Sequence, residues 1–173
     1  MNRTLTSLIT LSLVSVMTTG CGESLPPGMP KLYPTSITVI QEGEPLEGAM
    51  VLLIPEDASL NDWGPGGITN ASGVAVMLTN GQYRGAPLGK YKVTVTKTER
   101  EPHPHPEWAN LPMNDPNFRQ FLRISESLKA YNHVELNFGS RDRTPLQVEV
   151  TAGQRTHSVD VGARIRTEIR AGY

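Results

Sequence analysis

Residues 85–97 read GAPLGKYKVTVTK. Beyond Gly89, Tyr91, Val93 and Val95 alternate with Lys92, Thr94 and Thr96, and a period of two puts the first three on one face of a strand and the polar three on the other. The stretch therefore predicts a half-buried β-strand with Tyr91, Val93 and Val95 inward. Tyr91 follows Pro87 and Gly89 at the strand's start, where a buried phenol requires a hydrogen-bond partner and a nearby backbone carbonyl is the expected one.

The same period recurs on both sides. Ile37 and Val39 share a face against Ser36, Thr38 and Ile40, and Gln41-Glu42-Gly43-Glu44-Pro45 then ends the run as a hairpin turn. Residues 48–55, GAMVLLIP, are apolar on both faces between a glycine and a proline, the pattern of a strand buried on both sides. Val74, Val76 and Leu78 alternate with Ala75 and Met77 after a turn at Asn70-Ala71-Ser72-Gly73, where Asn and Gly tolerate positive φ. Residues 145–151 and 156–161 alternate again about an Ala152-Gly153 turn, with Val159 and Val161 inward, and predict a closing hairpin. Sixteen glycines and fourteen prolines against three phenylalanines and two tryptophans fit an all-β chain of short elements and many turns.

Gly43-Glu44-Pro45-Leu46-Glu47-Gly48-Ala49-Met50-Val51 and Gly85-Ala86-Pro87-Leu88-Gly89-Lys90-Tyr91-Lys92-Val93 match, in order and spacing, two blocks of the carboxypeptidase regulatory-like, or transthyretin-like, β-sandwich family, which this chain resembles. Between them the family has a threonine-aspartate-x-x-glycine turn; here it reads Thr69-Asn70-Ala71-Ser72-Gly73, with asparagine in place of the acid. The resemblance implies a seven-stranded Greek-key sandwich, Ig-like in architecture, over residues 32–163. It also implies a role in binding or display, since in carboxypeptidases the module lacks the catalytic residues.

The N-terminus reads differently. Asn2 and Arg3 precede an apolar run, Leu5 to Met17, too short to span a bilayer, then small residues and Cys21, the single cysteine. Residues 1–20 are expected to be an export signal. Thr18-Thr19-Gly20-Cys21 resembles the lipobox of bacterial lipoproteins, with Thr18 where the pattern has leucine, and the resemblance implies a diacylglycerol on Cys21. Residues 21–31 form a Pro/Gly-rich tether that reaches roughly 30 Å at about 3.1 Å per residue. Localisation at the cell envelope, with the membrane held through the lipid, follows as an expectation.

A formal net charge of -1 excludes a globally basic nucleic-acid binder. There is no Gly-x-Ser-x-Gly turn and no glycine-rich phosphate loop ahead of a helix, and no catalytic, cofactor or metal residue is assigned. Residues 98–135 are an excursion outside the family pattern. It opens with EPHPHPEW (101–108), whose prolines favour polyproline backbone and turn His103 and His105 apart, so a stiff loop is expected rather than a metal site. It continues with an amphipathic helix between Asp115, the expected N-cap, and Tyr131, with Phe118, Phe121, Leu122, Ser125 and Leu128 at helical spacing and expected to pack across a sheet edge. Trp63, near Glu56, Asp57 and Asp62 in the 56–67 loop, and Trp108 are the candidate ligand contacts. They carry an alternative reading as a carbohydrate-binding module, and a metal-dependent hydrolase is the third. In residues 164–173, Arg164, Arg166 and Arg170 share a strand face, either as a charge-blunted edge or as a surface for an anionic polymer. The leading expectation is a non-catalytic, lipid-anchored envelope module that works by binding or by structural display, an envelope protein meeting its 98–135 excursion, with a polysaccharide as partner in the tryptophan reading.

Overall fold

The computed structural model describes residues 25–169; the apolar leader, Cys21 and Arg170 lie outside the described residues. Within them the chain is all-β with one short α-helix. The strands are β1 (Ser36–Gln41), β2 (Glu44–Pro45), β3 (Met50–Pro55), β4 (Pro65–Ile68), β5 (Val74–Val76), β6 (Leu78–Thr79), β7 (Tyr83–Arg84), β8 (Gly89–Thr96), β9 (Thr98–Arg100), β10 (Ala130–Asn132), β11 (Gln147–Val150), β12 (Thr156–Asp160) and β13 (Thr167–Ile169). A first sheet runs β12-β1-β2, with β5 sharing the β2 side of β1; a second runs β11-β8-β3-β4-β6-β7; a third, smaller one runs β13-β10-β9.

The first two sheets face one core. Ile37, Val39, Ala75 and Val159 from the first meet Val51, Leu53, Tyr91, Val93 and Val95 from the second, and Met77 and Val161 fill the space between them. Valine predominates because a β-branched side chain loses little freedom on a pleated surface and packs well across it. Tyr91 is fully buried, and its hydroxyl donates to Pro87 O at 2.9 Å, as its position in the sequence implies. Burial pushes the phenol up to about 12, so it remains a donor throughout the neutral range. The turn before β2 places Glu42 and Gly43 at φ 55° and 82°, both positive as a two-residue hairpin between twisted strands requires. Asn70 Oδ1 accepts from the backbone N–H of Ser72 and Val74, both at 3.0 Å, so the side-chain amide caps this turn. Positive φ at that turn falls on Gly73, not on Asn70.

Several expectations are corrected. Residues 74–79 are not one strand: the chain bends at Met77, where Met77 N donates to Thr35 O and Met77 O accepts from Gly85 N, so β5 joins the first sheet and β6 the second. Residues 145–161 are not a hairpin. β11 completes the open edge of β8, antiparallel, while β12 lies parallel to β1 in the opposite sheet, so the exposed 151–155 connection passes from one sheet to the other. The 48–55 run is buried on its inner face only; Met50 and Leu52 are 49% and 45% exposed on the outer side. Conversely, Thr94 points outward yet is buried, because residues 134–146 run along β8, with Val95 N donating to Phe138 O and Val93 N to Leu146 O. Strand β4 begins at Pro65 inside the stretch read as a loop, and β7 follows an Asn80-Gly81 turn at φ 52° and 71°.

His157, on β12, faces the core beside Val159. It is buried, its Nε2 has no hydrogen-bond partner, and desolvation pulls its pKa below the ordinary histidine value. The folded state thus binds this proton less readily than the unfolded chain. Stability from this residue is complete above the unfolded value and is lost as pH falls below it and through the lowered folded value. Chemical denaturation at pH 7.5 and pH 5 should show His157→Leu losing less stability on acidification than the native chain; equal losses would rule out the histidine as a source of acid sensitivity.

Candidate functional site

The body has two poles, and β1 connects them. At its start, Tyr33 N donates to Ala86 O at 2.9 Å, Ala86 N returns a bond to Tyr33 O at 3.0 Å, and Ser36 N donates to Arg155 O at 2.8 Å. This is where the N-terminal segment joins the body. At its end, Gln41 is 2% exposed, and its Nε2 donates to His133 O at 2.8 Å and to Ala163 O at 3.3 Å. Strand β8 runs the same way, from Gly89 just after Ala86 to Thr96, and the excursion leaves directly beyond it. Segment 98–135 therefore emerges at the pole opposite the N-terminal entry.

Its base is the third sheet, with Tyr131 paired to Glu99 on one side and to Glu168 on the other. None of the residues in these three strands is buried, so polar contacts and backbone pairing hold it. The Glu99 carboxylate takes Lys97 Nζ and His133 Nε2, each at 3.2 Å. The Lys97 hydrogen bond above all, with His133 and Arg166 adding positive charge, holds Glu99 below the usual carboxylate range. Tyr131 OH donates to Glu101 Oε1 at 3.0 Å while the Arg166 guanidinium lies 3.8 Å over its ring. Lys129 pairs with Glu168 at 3.0 Å, and Arg164 with Glu42 at 3.6 Å. The arginine face read from the C-terminal alternation is thus engaged within the chain at Arg164 and Arg166. Strands β9 and β10 are too short and too polar to show a period in sequence, which is why the excursion reads there as loop.

The arm that follows is locked at its first residue, where Glu101 N donates to Lys129 O at 2.9 Å. His103 and His105 lie 6.2 Å apart between ring centroids and face different partners. His103 packs on Phe121 at 4.5 Å; its Nδ1 accepts from the His105 backbone N–H at 2.9 Å, which places its proton on Nε2, 3.3 Å from Phe121 O. Both ring nitrogens are occupied. His105 stacks on Trp108 at 4.1 Å, with its Nδ1 3.2 Å from Glu107 Oε1. Among the described residues, no three His, Cys, Asp or Glu side chains gather as a metal site. Pro106–Asn110, expected as loop, forms a 3-10 turn carrying Trp108.

The helix, α1 (Phe118–Ser127), packs on this 3-10 turn and on His103 rather than across a sheet edge. Its half-buried Phe121 already has an aromatic surface in the arm, the His103 ring. The helix starts two residues later than expected: Asn117, not Asp115, holds the N-cap position, and Asp115 Oδ1 accepts from Asn117 N–H at 2.8 Å in the turn leading into it. Met113, in the loop before the helix, is 85% exposed. His103→Ala removes the ring contact and both hydrogen bonds, so amide exchange over residues 118–127 should accelerate while the global unfolding midpoint stays put. A matching fall in the global midpoint would mean that the excursion is part of the core's cooperative unit.

The two tryptophans are not brought together. Trp63 closes a 3-10 turn, Ala58–Trp63, which Asp57 caps through Ser59 N at 2.9 Å and which packs on β3, whose last residue, Pro55, pairs with Tyr91 at the N-terminal pole. Trp108 belongs to the arm leaving the other pole, with one face taken by His105. The chain matches no family model, no curated protein and no solved structure.

Proposed function

We propose that this chain is a lipid-anchored, non-catalytic module of the cell envelope that displays its 98–135 excursion to a protein partner, on a transthyretin-like Greek-key sandwich. The observation that carries the reading is the separation of the poles: the segment leading from Cys21 enters at Tyr33–Ala86, and the excursion leaves beyond Thr96 at the other end. A tethered body of this form holds its excursion away from the surface to which it is attached. The internal locking of the arm by His103, Glu101 and Lys129 supports display, because a preordered surface loses less entropy on binding. The Tyr91–Pro87 bond and the Asn70 cap support the sandwich reading.

Metabolic labelling with a fatty-acid probe should mark the native chain and not Cys21→Ser. A photo-crosslinking residue at position 113 in cells should capture discrete envelope proteins, whereas the same residue at position 88, near the N-terminal pole, should not. Capture at 88 alone would reverse the assigned orientation.

A further inference from the structure

A cleft of about 290 Å3 opens at the N-terminal pole, between the start of β1 and the end of β7. Arg84 and Arg155 stand on its sides, with Pro34, Ser36, Val76 and Gly85 between them. It exists because β12 begins only at Thr156, level with Ser36, while the Tyr33–Ala86 bridge holds the chain across from it. The Thr35 hydroxyl is turned away to Tyr33 O at 2.8 Å. Polar chemistry in the cleft is thus left to two guanidiniums and the Ser36 hydroxyl, which lies 3.3 Å from Thr156 Oγ1. No acidic residue lines it. Among the described residues neither Arg84 nor Arg155 has a carboxylate within ion-pair distance, in contrast to Arg164. Lys31, three residues before Pro34 in the chain, lies 5.2 Å over the Tyr33 ring.

We propose that this cleft binds the phosphate of an anionic phospholipid headgroup. Guanidinium forks match phosphate oxygens in geometry and charge, and Val76 and Pro34 offer an apolar wall to the part of the ligand that joins the phosphate. The position fits the chemistry, since the cleft lies where the chain arrives from Cys21, within tether reach of a membrane surface, and cationic side chains there gain from anionic lipid. The choice of a lipid headgroup over free phosphate rests on the anchored reading above; the cation pair itself does not.

The test uses the full chain carrying Cys21→Ser, so that no covalent lipid contributes. It should float with vesicles of mixed phosphatidylglycerol and phosphatidylcholine and not with phosphatidylcholine alone. Arg84→Glu with Arg155→Glu should weaken that binding by roughly tenfold or more, whereas Arg119→Glu with Arg123→Glu, on α1 at the other pole, should leave it unchanged. Equal loss from both pairs would show diffuse charge attraction and overturn the site. Inorganic phosphate titrated into the same protein should shift the Arg84 and Arg155 resonances and compete with vesicles. Binding of inorganic phosphate without vesicle binding would overturn the lipid source, and binding of neither would overturn the site. Because lipidation is absent throughout, failure here is separate from failure of fatty-acid labelling at Cys21.

Discussion

Tyr91→Ala is expected to cost about 3–5 kcal/mol, the range for removing a large aromatic side chain from a close-packed core. Tyr91 lies between the two sheets, fully buried, and pairs across to Pro55 and Val148, so no neighbour can close the space it leaves. Tyr91→Phe keeps the ring and removes only the bond to Pro87 O, and should cost about 1–3 kcal/mol for a carbonyl left without its donor. Urea unfolding of the two variants separates packing from hydrogen bonding. Equal losses would mean that the hydroxyl, not the ring, dominates. The pH dependence has a definite sign. A phenol raised in the folded state keeps its full contribution below the unfolded value of 10.0 and loses it as pH climbs through about 12. The stability gap between the native chain and Tyr91→Phe should therefore narrow in strong base.

Gly67→Ala is expected to destabilise by about 1–3 kcal/mol, while Gly66→Ala, one residue earlier on the same strand, changes stability by no more than about 0.5 kcal/mol. A Cβ on Gly67 would lie 2.5 Å from Val76 O and 2.9 Å from Met77 Cε. Val76 is backbone in β5, paired to Ser36 of β1, and cannot retreat without disturbing the first sheet. A Cβ on Gly66 would meet Leu52 Cδ2 at 2.8 Å, the free end of a side chain on the exposed outer face. That methyl can swing into solvent. Thermal unfolding of both variants tests whether β4 touches β5 as closely as the geometry requires; equal midpoints would show that the sheets have slack at this corner.

The same glycines show where sequence reading stops. Strands written in alternating side chains, such as Ile37–Val39 and Tyr91–Val95, declare their faces, and both are buried as the alternation implies. β4 has two glycines where the alternation would be written, so it reads as loop until the neighbouring Val76 backbone explains why only glycine fits at position 67. Periodicity is also silent on sheet membership. Val148 and Val159 each announce a strand, but only the open edges of β8 and β1 decide that they join different sheets. The bend at Met77 is hidden for a related reason, because its inward side chain continues the pattern while the backbone changes partners. In the excursion, only the break from strand geometry that the prolines impose around His103 and His105 was legible; His105 itself takes φ -125° and ψ 72°, not polyproline backbone. The partners of the two rings were not legible, since Phe121 and Trp108 reach them only through the fold of α1 and the arm. The third sheet depends on pairings among Glu99, Tyr131, Arg166 and Glu168, residues far apart in sequence and too polar to advertise a strand.

Display of the excursion away from the membrane is tested most directly by distance. The single native cysteine, Cys21, is alkylated in a lipidated chain, so Leu88→Cys and Met113→Cys each provide one labelling site. Strand β8 alone, with eight residues at about 3.3 Å each, separates the poles by roughly 26 Å. With the lipidated protein in vesicles carrying energy acceptors in the headgroup layer, a donor at position 88 should transfer efficiently and a donor at position 113 weakly. Equal transfer from both positions, or stronger transfer from 113, would contradict the orientation and, with it, the display function.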